Sequence, residues 1–402
     1  MAKLIDKKIL EFKKVIIRVD FNVPLLNGIV QDDFRIRKSI PIIQYCLDSN
    51  ASVVLISHMG RPNGEKKQNM SLSKIKTELE GLLNLEILFS DDCISDDAIN
   101  TSKGLLPGQV HLLENLRFYN EEVLNDRDFS LMLSKHGDVF INEAFGTAHR
   151  SHASNVGICS FMKYKFNGLL MNDEYQFLYE GLKKPEHPYA LILGGAKVSG
   201  KIELISSMMD KVDNILIGGA MAFTFLKAKG VDIGDSFYEI DNVDVATNIL
   251  HECIRKNIDI HLPKDVVVSD EIGNIENAFD CNIKNIPDKM KGFDIGGSTC
   301  DYFKSILKDS KLIVWNGPLG VAEVKRYSNG TKSIADFIGS LHDDHVTTII
   351  GGGDTSSAVK RLSPNSVFSH VSTGGGSSLE LLSGNELPAF KAINSQERID
   401  IL

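Results

Sequence analysis

The chain has 402 residues, 43% hydrophobic and 24% charged, which suits a globular protein of about two domains of ~150–200 residues each. Its formal charge of −9 argues against a general nucleic-acid or membrane-surface binder, which works through clustered Lys and Arg. No apolar run reaches the ~18–20 residues that cross a bilayer, and the start, Met1-Ala-Lys-Leu-Ile-Asp-Lys-Lys8, is too polar for a secretory signal, so a cytoplasmic protein is expected.

In chain order the expected strands are Val15–Val19, Ser52–Ile56, Gln109–Leu113 and Asp138–Ile141, then Tyr189–Leu193, Asn214–Ile217, Val266–Val268, Lys311–Trp315, Thr347–Ile350 and Ser369–Val371. Apolar runs that end in polar or glycine-rich turns and lead into helical patterns are the alternation of an α/β protein, here two doubly wound parallel-sheet, Rossmann-like domains. Between the two sets, Met171, Tyr175, Leu178 and Leu182 share one helical face, which predicts an interdomain helix ending before Lys183-Lys184-Pro185. The domains are placed at residues 1–168 and 185–384, joined by 169–184, with 385–402 a tail that packs on another part of the protein. Cys46, Cys93, Cys159, Cys253, Cys281 and Cys300 have neither CxxC spacing nor a nearby His cluster, so neither a disulfide framework nor a structural zinc site is indicated.

Residues 1–168 carry equal numbers of acidic and basic side chains, so the whole excess of acid lies in residues 169–402. Yet seven of the eleven arginines fall in the first, shorter part. Ligands of open α/β sheets bind beyond the carboxyl ends of the strands, so the residues just after each run carry the information. In the first part these include Asp20, Asn22, His58, Arg61, Arg117, His149 and Arg150; with Arg35 they predict a guanidinium cradle for a small anion. Arg18 and Arg37 read as strand polarity and an ordinary helix start. His58, His149 and His152 lack a carboxylate relay, so a hydrogen-bonding role is expected of them. The second part instead offers Gly194-Gly195, Gly218-Gly219, Asn316-Gly317, Gly351-Gly352-Gly353-Asp354 and Gly374-Gly375-Gly376, a backbone cradle for phosphates.

Gly195 to Ile202 nearly spells a P-loop, but Ile202 supplies no hydroxyl for magnesium, and the standard P-loop is rejected. Lys197 and Lys201 are four apart, and the expectation is that both lie on one face of an opening helix, within reach of a transferring phosphoryl. Asp354 reads either as a helix N-cap or as a ligand of magnesium carried by nucleotide phosphates. An anion cradle in one domain and a phosphate cradle in the other imply phosphoryl transfer with domain closure. The arginines alone would also fit a non-enzymatic anion-binding protein, whereas a dehydrogenase is disfavoured because no GxGxxG follows a strand.

Eight collinear segments carry a closer resemblance: Arg18-Val-Asp-Phe-Asn-Val-Pro24, Ser57-His-Met-Gly-Arg-Pro62, Leu113-Glu-Asn-Leu-Arg-Phe118, Ala144-Phe-Gly-Thr-Ala-His-Arg150, Leu193-Gly-Gly-Ala-Lys-Val198, Trp315-Asn-Gly-Pro318, Gly351-Gly-Gly-Asp354 and Ser372-Thr-Gly-Gly-Gly376. In this order they resemble the motifs of the phosphoglycerate kinases. The resemblance implies reversible phosphoryl transfer between 1,3-bisphosphoglycerate and ADP, giving 3-phosphoglycerate and ATP, with Mg2+ on the nucleotide. It implies that Asp20, Asn22, Arg35, His58, Met59, Gly60, Arg61, Arg117 and Arg150 hold the phosphoglycerate. Arg35, Lys197, Gly353, Gly374 and Gly375 would act on the transferring group. Lys201, Gly219, Gly296, Asn316, Glu323, Gly352, Gly353, Asp354 and Thr355 would hold the nucleotide, with Asp354 near the metal. It further implies a tail that crosses back to the first domain, and nothing in the sequence requires more than a monomer. Four positions depart from the family pattern: Glu143 for Asp, Ala220 for Gly, Gly297 for Pro and Ala322 for Phe.

Overall fold

A computed structural model describes residues 5–341 and 345–395. These form two compact units, the chain up to Gln176 together with Glu386 onward, and Phe177–Asn385. In the first unit the strands are β1 (Lys14–Arg18), the short hairpin β2 (Leu25–Leu26) and β3 (Ile29–Val30), β4 (Ser52–Ile56), β5 (Ile87–Ser90), β6 (Val110–Leu113), β7 (Val139–Asn142) and β8 (Tyr164–Asn167). Six of them make one sheet in the order β5-β6-β4-β1-β7-β8, every pair parallel. β4 and β6 are buried at every position, as continuous apolar runs covered on both faces must be. Alternate residues of β1 feed different cores: Val15 and Ile17 pack on one face, Ile16 on the other.

The second unit contains β9 (Tyr189–Leu193), β10 (Asn214–Ile217), β11 (Asp259–His261), β12 (Asp265–Ser269), β13 (Phe279–Asn282), β14 (Lys291–Ile295), β15 (Leu312–Asn316), β16 (Thr347–Gly351) and β17 (His370–Val371). Its parallel sheet runs β11-β10-β9-β15-β16-β17. The chain therefore winds outward from β9 to one edge, returns to β15 beside β9, and winds to the other edge. Val266–Val268 is a correction: β12 lies at the centre of a separate antiparallel sheet, β13-β12-β14. Among the six strands expected in the second part it is also the one that does not run into a glycine or Asn-Gly turn. Its partner β13 is exposed at three of four positions, which an antiparallel sheet with one wet face allows.

Strands β5, β8 and β11 were not expected from the sequence; each is a half-exposed edge strand, and β8 and β11 have no continuous apolar run, whereas β5 has Ile87-Leu88-Phe89. The single helix expected over 169–184 is instead an α-helix, Leu169–Leu178, followed by a 3-10 turn, Glu180–Leu182. The break falls at Tyr179, whose φ of −128° lies outside the helical range. Of the tail, the helix Pro388–Asn394 belongs to the first unit. Ala389 N–H donates to Ala148 O at 3.1 Å, and the Phe390 ring lies 5.1 Å from that of Tyr175. Residues 396–402 of the expected tail lie outside the described residues. Among the described residues no helix is long and apolar enough to cross a membrane, and the six cysteines are free and buried.

A buried polar chain crosses the first unit. His136 Nε2 lies 3.0 Å from Cys93 O, Ser102 Oγ lies 2.7 Å from His136 Nδ1 and 2.9 Å from His111 Nδ1, and His111 Nε2 lies 2.9 Å from Ser90 Oγ. A carbonyl only accepts, so His136 donates from Nε2, Ser102 donates to His136, His111 donates to Ser102, and Ser90 donates to His111. Burial pushes both imidazoles down to about 4. Between pH 6.5 and 4 the unfolded chain therefore binds protons that the folded chain refuses, so stability is lost as pH falls through that window. In urea titrations at pH 7 and 5, the wild type should lose stability at the lower pH. His136→Leu should cost on the order of 1–3 kcal/mol at pH 7, since it leaves the Ser102 hydroxyl and the Cys93 carbonyl short of a partner, while flattening the acid dependence.

Candidate active site

In the first unit the carboxyl end of β1 opens into Val19-Asp20-Phe21-Asn22. Asp20 Oδ2 is 3.3 Å from Arg35 Nη1, which donates to Asn22 O at 3.0 Å. The Asn22 side chain, through Oδ1, accepts from Gly60 N–H at 2.9 Å, and Gly60 O accepts from Arg117 Nη1 at 2.8 Å. The ends of β1, β4 and β6 and the first turn of the helix Phe34–Leu47 are thus tied into one hydrogen-bonded group. Met59 plays a different part from the expected contact: its side chain is buried, and Asn115 clasps its backbone through Oδ1 at 3.1 Å and Nδ2 at 2.8 Å. Asn115, not among the expected site residues, therefore fixes the Met59-Gly60 turn. Arg61 is exposed and stands apart from these contacts.

Arg18 corrects another expectation. It is wholly buried, donating from Nε to Ser154 Oγ at 2.8 Å, from Nη1 to Val19 O, and from Nη2 to His58 Nδ1 at 3.2 Å. Ser154 in turn donates to the buried Glu122 from N at 2.9 Å and Oγ at 2.6 Å. The signal was available, since a charge inside an apolar run has to find partners when buried. A guanidinium cannot accept, so His58 carries its proton on Nε2. Burial, then Arg18, Arg117, Arg35 and Arg150, hold the His58 pKa well below its usual value, so it stays neutral. Those four guanidiniums surround one imidazole, with Asp20 and Glu122 the acidic groups acting back on them. Arg150 also donates from Nε to His149 Nε2 at 3.3 Å. Burial and the neighbouring Arg18 and Arg150 lower Arg117 to about 10, and its Nε and Nη2 are buried without a partner. Each unmatched donor costs about 1–3 kcal/mol, and an anion placed there would satisfy both.

In the second unit the site forms where β9 and β15 lie side by side and the winding direction reverses. A Cβ on Gly194 would meet Pro318 O at 2.2 Å and Gly317 O at 2.5 Å; one on Gly317, whose φ is +99°, would meet Gly194 O at 2.3 Å. The two turns interlock backbone to backbone. Gly219 seals the third side, where a Cβ would lie 2.6 Å from Gly195 O and 2.9 Å from Pro318 O. Lys201 is buried and donates through Nζ to Asn316 Oδ1, while Asn316 Nδ2 is buried without a partner. Thr355 Oγ1 accepts from Gly317 N–H at 2.6 Å, and Gly352, with φ +92°, caps the helix Gly353–Leu362. Burial lowers Lys201 to about 8, opposed by Asp354.

Three expectations change here. Lys197 does not share a helical face with Lys201: it lies in the loop before the 3-10 turn Ser199–Lys201 and is exposed, whereas Lys201 is buried. Asp354 is not an N-cap, because Gly352 takes that place and Asp354 stands exposed in the first turn. Gly374 spends its N–H on Ser372 Oγ at 3.1 Å, leaving Gly375, whose Cβ position is 3.8 Å from Gly353 N, as the glycine facing the neighbouring helix start. Glu323 is exposed on a loop anchored by Val321 N–H to Phe293 O at 2.9 Å, and Gly296 is buried beneath Asp265. Of the departures from the family pattern, Glu143 is buried and its Oε1 accepts from Leu170 N–H at 3.0 Å, at the start of the helix Leu169–Leu178. Ala322 is buried and offers its carbonyl to Arg361 Nη2 at 2.8 Å.

Residues 5–385 match the family described as phosphoglycerate kinase. A phosphoglycerate kinase of Finegoldia magna is 44% identical over 96% of this chain and 97% of its own length. One of Prochlorococcus marinus is 42% identical over 98% and 100%. Among solved structures, phosphoglycerate kinase from Coxiella burnetii superposes with a TM-score of 0.83 at 36% identity, and that from Pyrococcus horikoshii with 0.85 at 29%, each covering 96% of both chains.

The glycine interlock can be tested directly. Gly194→Ala should lower stability by about 1–3 kcal/mol in urea denaturation, because two backbone carbonyls must retreat. Gly200→Ala, whose Cβ meets nothing within 4 Å, should leave the midpoint unchanged.

Proposed function

The chain belongs to the phosphoglycerate kinase family, and from that premise we propose how its residues divide the family's reaction between the two units. The activity is the reversible transfer of a phosphoryl group between 1,3-bisphosphoglycerate and ADP, giving 3-phosphoglycerate and ATP, a step of glycolysis. The terminal oxygen of ADP attacks the acyl phosphate, the bond from phosphorus to the carboxyl oxygen breaks, and the carboxylate leaves. No protein proton has to move. The chain's task is positioning and charge neutralisation.

In this proposal Arg117 and Arg150, with Asp20, Asn22, His58 and Arg61, hold the phosphoglycerate. Arg35, poised between Asp20 and Asn22 O, meets the reacting carboxyl-phosphate. The neutral His58 donates from Nε2 without adding charge. Lys197 follows the transferring phosphoryl from its exposed loop, aided by the N–H groups of Gly353 and Gly375. Lys201, Asn316, Gly352 and Thr355 hold the nucleotide phosphates, with Glu323 and Gly219 toward its nucleoside. The observation that carries this reading is the pair of orphaned buried donor groups, Arg117 Nε and Nη2 in the turn that follows β6 in one unit and Asn316 Nδ2 at the end of β15 in the other.

Among the described residues no group of three or more His, Cys, Asp or Glu could cage a metal. A single exposed carboxylate, Asp354, fits a magnesium ion whose other ligands are nucleotide oxygens and water. When bound, that ion neutralises phosphate charge. We further take the segment 169–184 as a hinge about which the units close, and the enzyme as a cytoplasmic monomer.

In a coupled assay with ATP, magnesium and 3-phosphoglycerate the protein should turn over; absence of turnover would sink the assignment of roles. Lys197→Ala should lower kcat by ~10²–10³-fold with both KM values changed far less, since its contact strengthens as the phosphoryl moves. Arg35→Ala should lower kcat and also weaken 3-phosphoglycerate binding in calorimetry; unchanged binding would remove Arg35 from the cradle.

A further inference from the structure

The carboxylate of Asp265, at the head of β12, is occupied in full by the start of the helix Gly297–Leu307. Oδ2 accepts from Ser298 N–H at 2.9 Å, and Oδ1 accepts from Thr299 N–H at 2.7 Å and lies 2.6 Å from Thr299 Oγ1. The hydroxyl of Thr299 answers by accepting from the N–H groups of Lys264 and Asp265, each at 3.0 Å, while Gly296 N–H donates to Asp265 O at 2.9 Å. A Cβ on Gly296 would lie 2.4 Å from Asp265 Cγ, so only glycine fits between carboxylate and turn. Although burial opposes its ionisation, these hydrogen bonds hold Asp265 below the usual carboxylate range. The turn joins the glycine cluster of the site: Ile295 and Leu319 lie 3.3 and 2.6 Å from the Cβ position of Gly218.

Two helix starts in the second unit differ in how their first backbone donors are used, although each has a carboxylate nearby, Asp354 in the first turn of one and Asp265 beside the other. The one at Gly353 begins with glycines whose backbone is open to a phosphate, whereas the one at Gly297 has its first donors and its dipole already met by a carboxylate. A phosphate at the second would face Asp265. The uncharged end of the nucleotide would meet a flat turn, Gly296-Gly297, that bears no side chain.

We propose that Asp265, together with Thr299, is a positioning residue for the nucleoside half of the nucleotide: it fixes the Gly296–Ser298 turn and, by filling that helix start with negative charge, sets which end of the nucleotide can lie there. The inference rests on the nucleotide-binding role proposed for the second unit.

The test separates nucleoside from phosphate. Asp265→Asn and Thr299→Val should raise the KM for ATP and ADP about tenfold, leaving kcat and the KM for 3-phosphoglycerate within twofold, and Thr299→Ser should behave as wild type. Tripolyphosphate, which has no nucleoside, should inhibit wild type and variants with the same constant. The idea is overturned if the nucleotide KM does not move in Thr299→Val, or if the tripolyphosphate constant rises with it. Melting curves identify a misfolded Asp265→Asn, in which case Thr299→Val against Thr299→Ser decides. Should the wild type show no turnover, the kinase roles fall, and the clamp is tested by calorimetry of ADP and of tripolyphosphate with wild type and Thr299→Val: weakened ADP binding alone supports it, and any other result overturns it.

Discussion

Every strand of both large sheets runs the same way, and that single constraint places the chemistry. In a parallel sheet all carboxyl ends share one edge, and where the winding reverses, two neighbouring connections leave in opposite directions and open a gap. In the second unit the gap lies between β9 and β15, and the backbones of Gly194 and Gly317 meet there too closely for any Cβ. In the first unit β1 stands at the corresponding place, between β4 and β7, and delivers Asp20 and Asn22.

In the roles proposed above, the two units would meet an anionic ligand with opposite economies. The first uses guanidiniums, which cannot give up their charge, burying Arg18 and Arg117 and half-burying Arg35, and gives them fixed acceptors: Ser154 and Val19 O for Arg18, Asn22 O for Arg35, Gly60 O for Arg117. Among these three, Arg117 keeps donors in reserve. The second relies on backbone and on Lys201, whose pKa burial lowers to about 8 and an arriving phosphate would raise again. The excess acid of this half is therefore not at odds with its ligand, because local donors and burial decide recognition and the distant solvated carboxylates are screened.

The strands of both parallel sheets were legible wherever an unbroken apolar run ended in a turn, because burial on both faces leaves that mark. Val266–Val268 bore the same mark and belongs to another sheet, since an apolar triplet says nothing of the direction of its neighbours. The edge strands β8 and β11 left none, and the run Ile87-Leu88-Phe89 of β5 was not read as a strand. For the site, residue type and place after a strand pointed to Asp20, Asn22, Gly60 and Arg117, which the structure ties together with Arg35 from the start of the helix Phe34–Leu47. What stayed hidden was tertiary: Arg18 as the inner partner of His58, Asn115 behind Met59, the exclusion of Lys197 from the helix that carries Lys201, and the carboxylate of Asp265 reaching a helix 34 residues away in sequence, at Thr299.

The reserve donors of Arg117 also bear on how much of this protein persists in a cell. A folded state that holds unmatched donors gains more from an anion than a fully satisfied one, and whatever binds only the folded state shifts the folding balance with its own concentration. Proteolysis draws on the unfolded fraction. On the role proposed for Arg117, the phosphorylated carboxylate would raise the folded fraction as its own concentration rises.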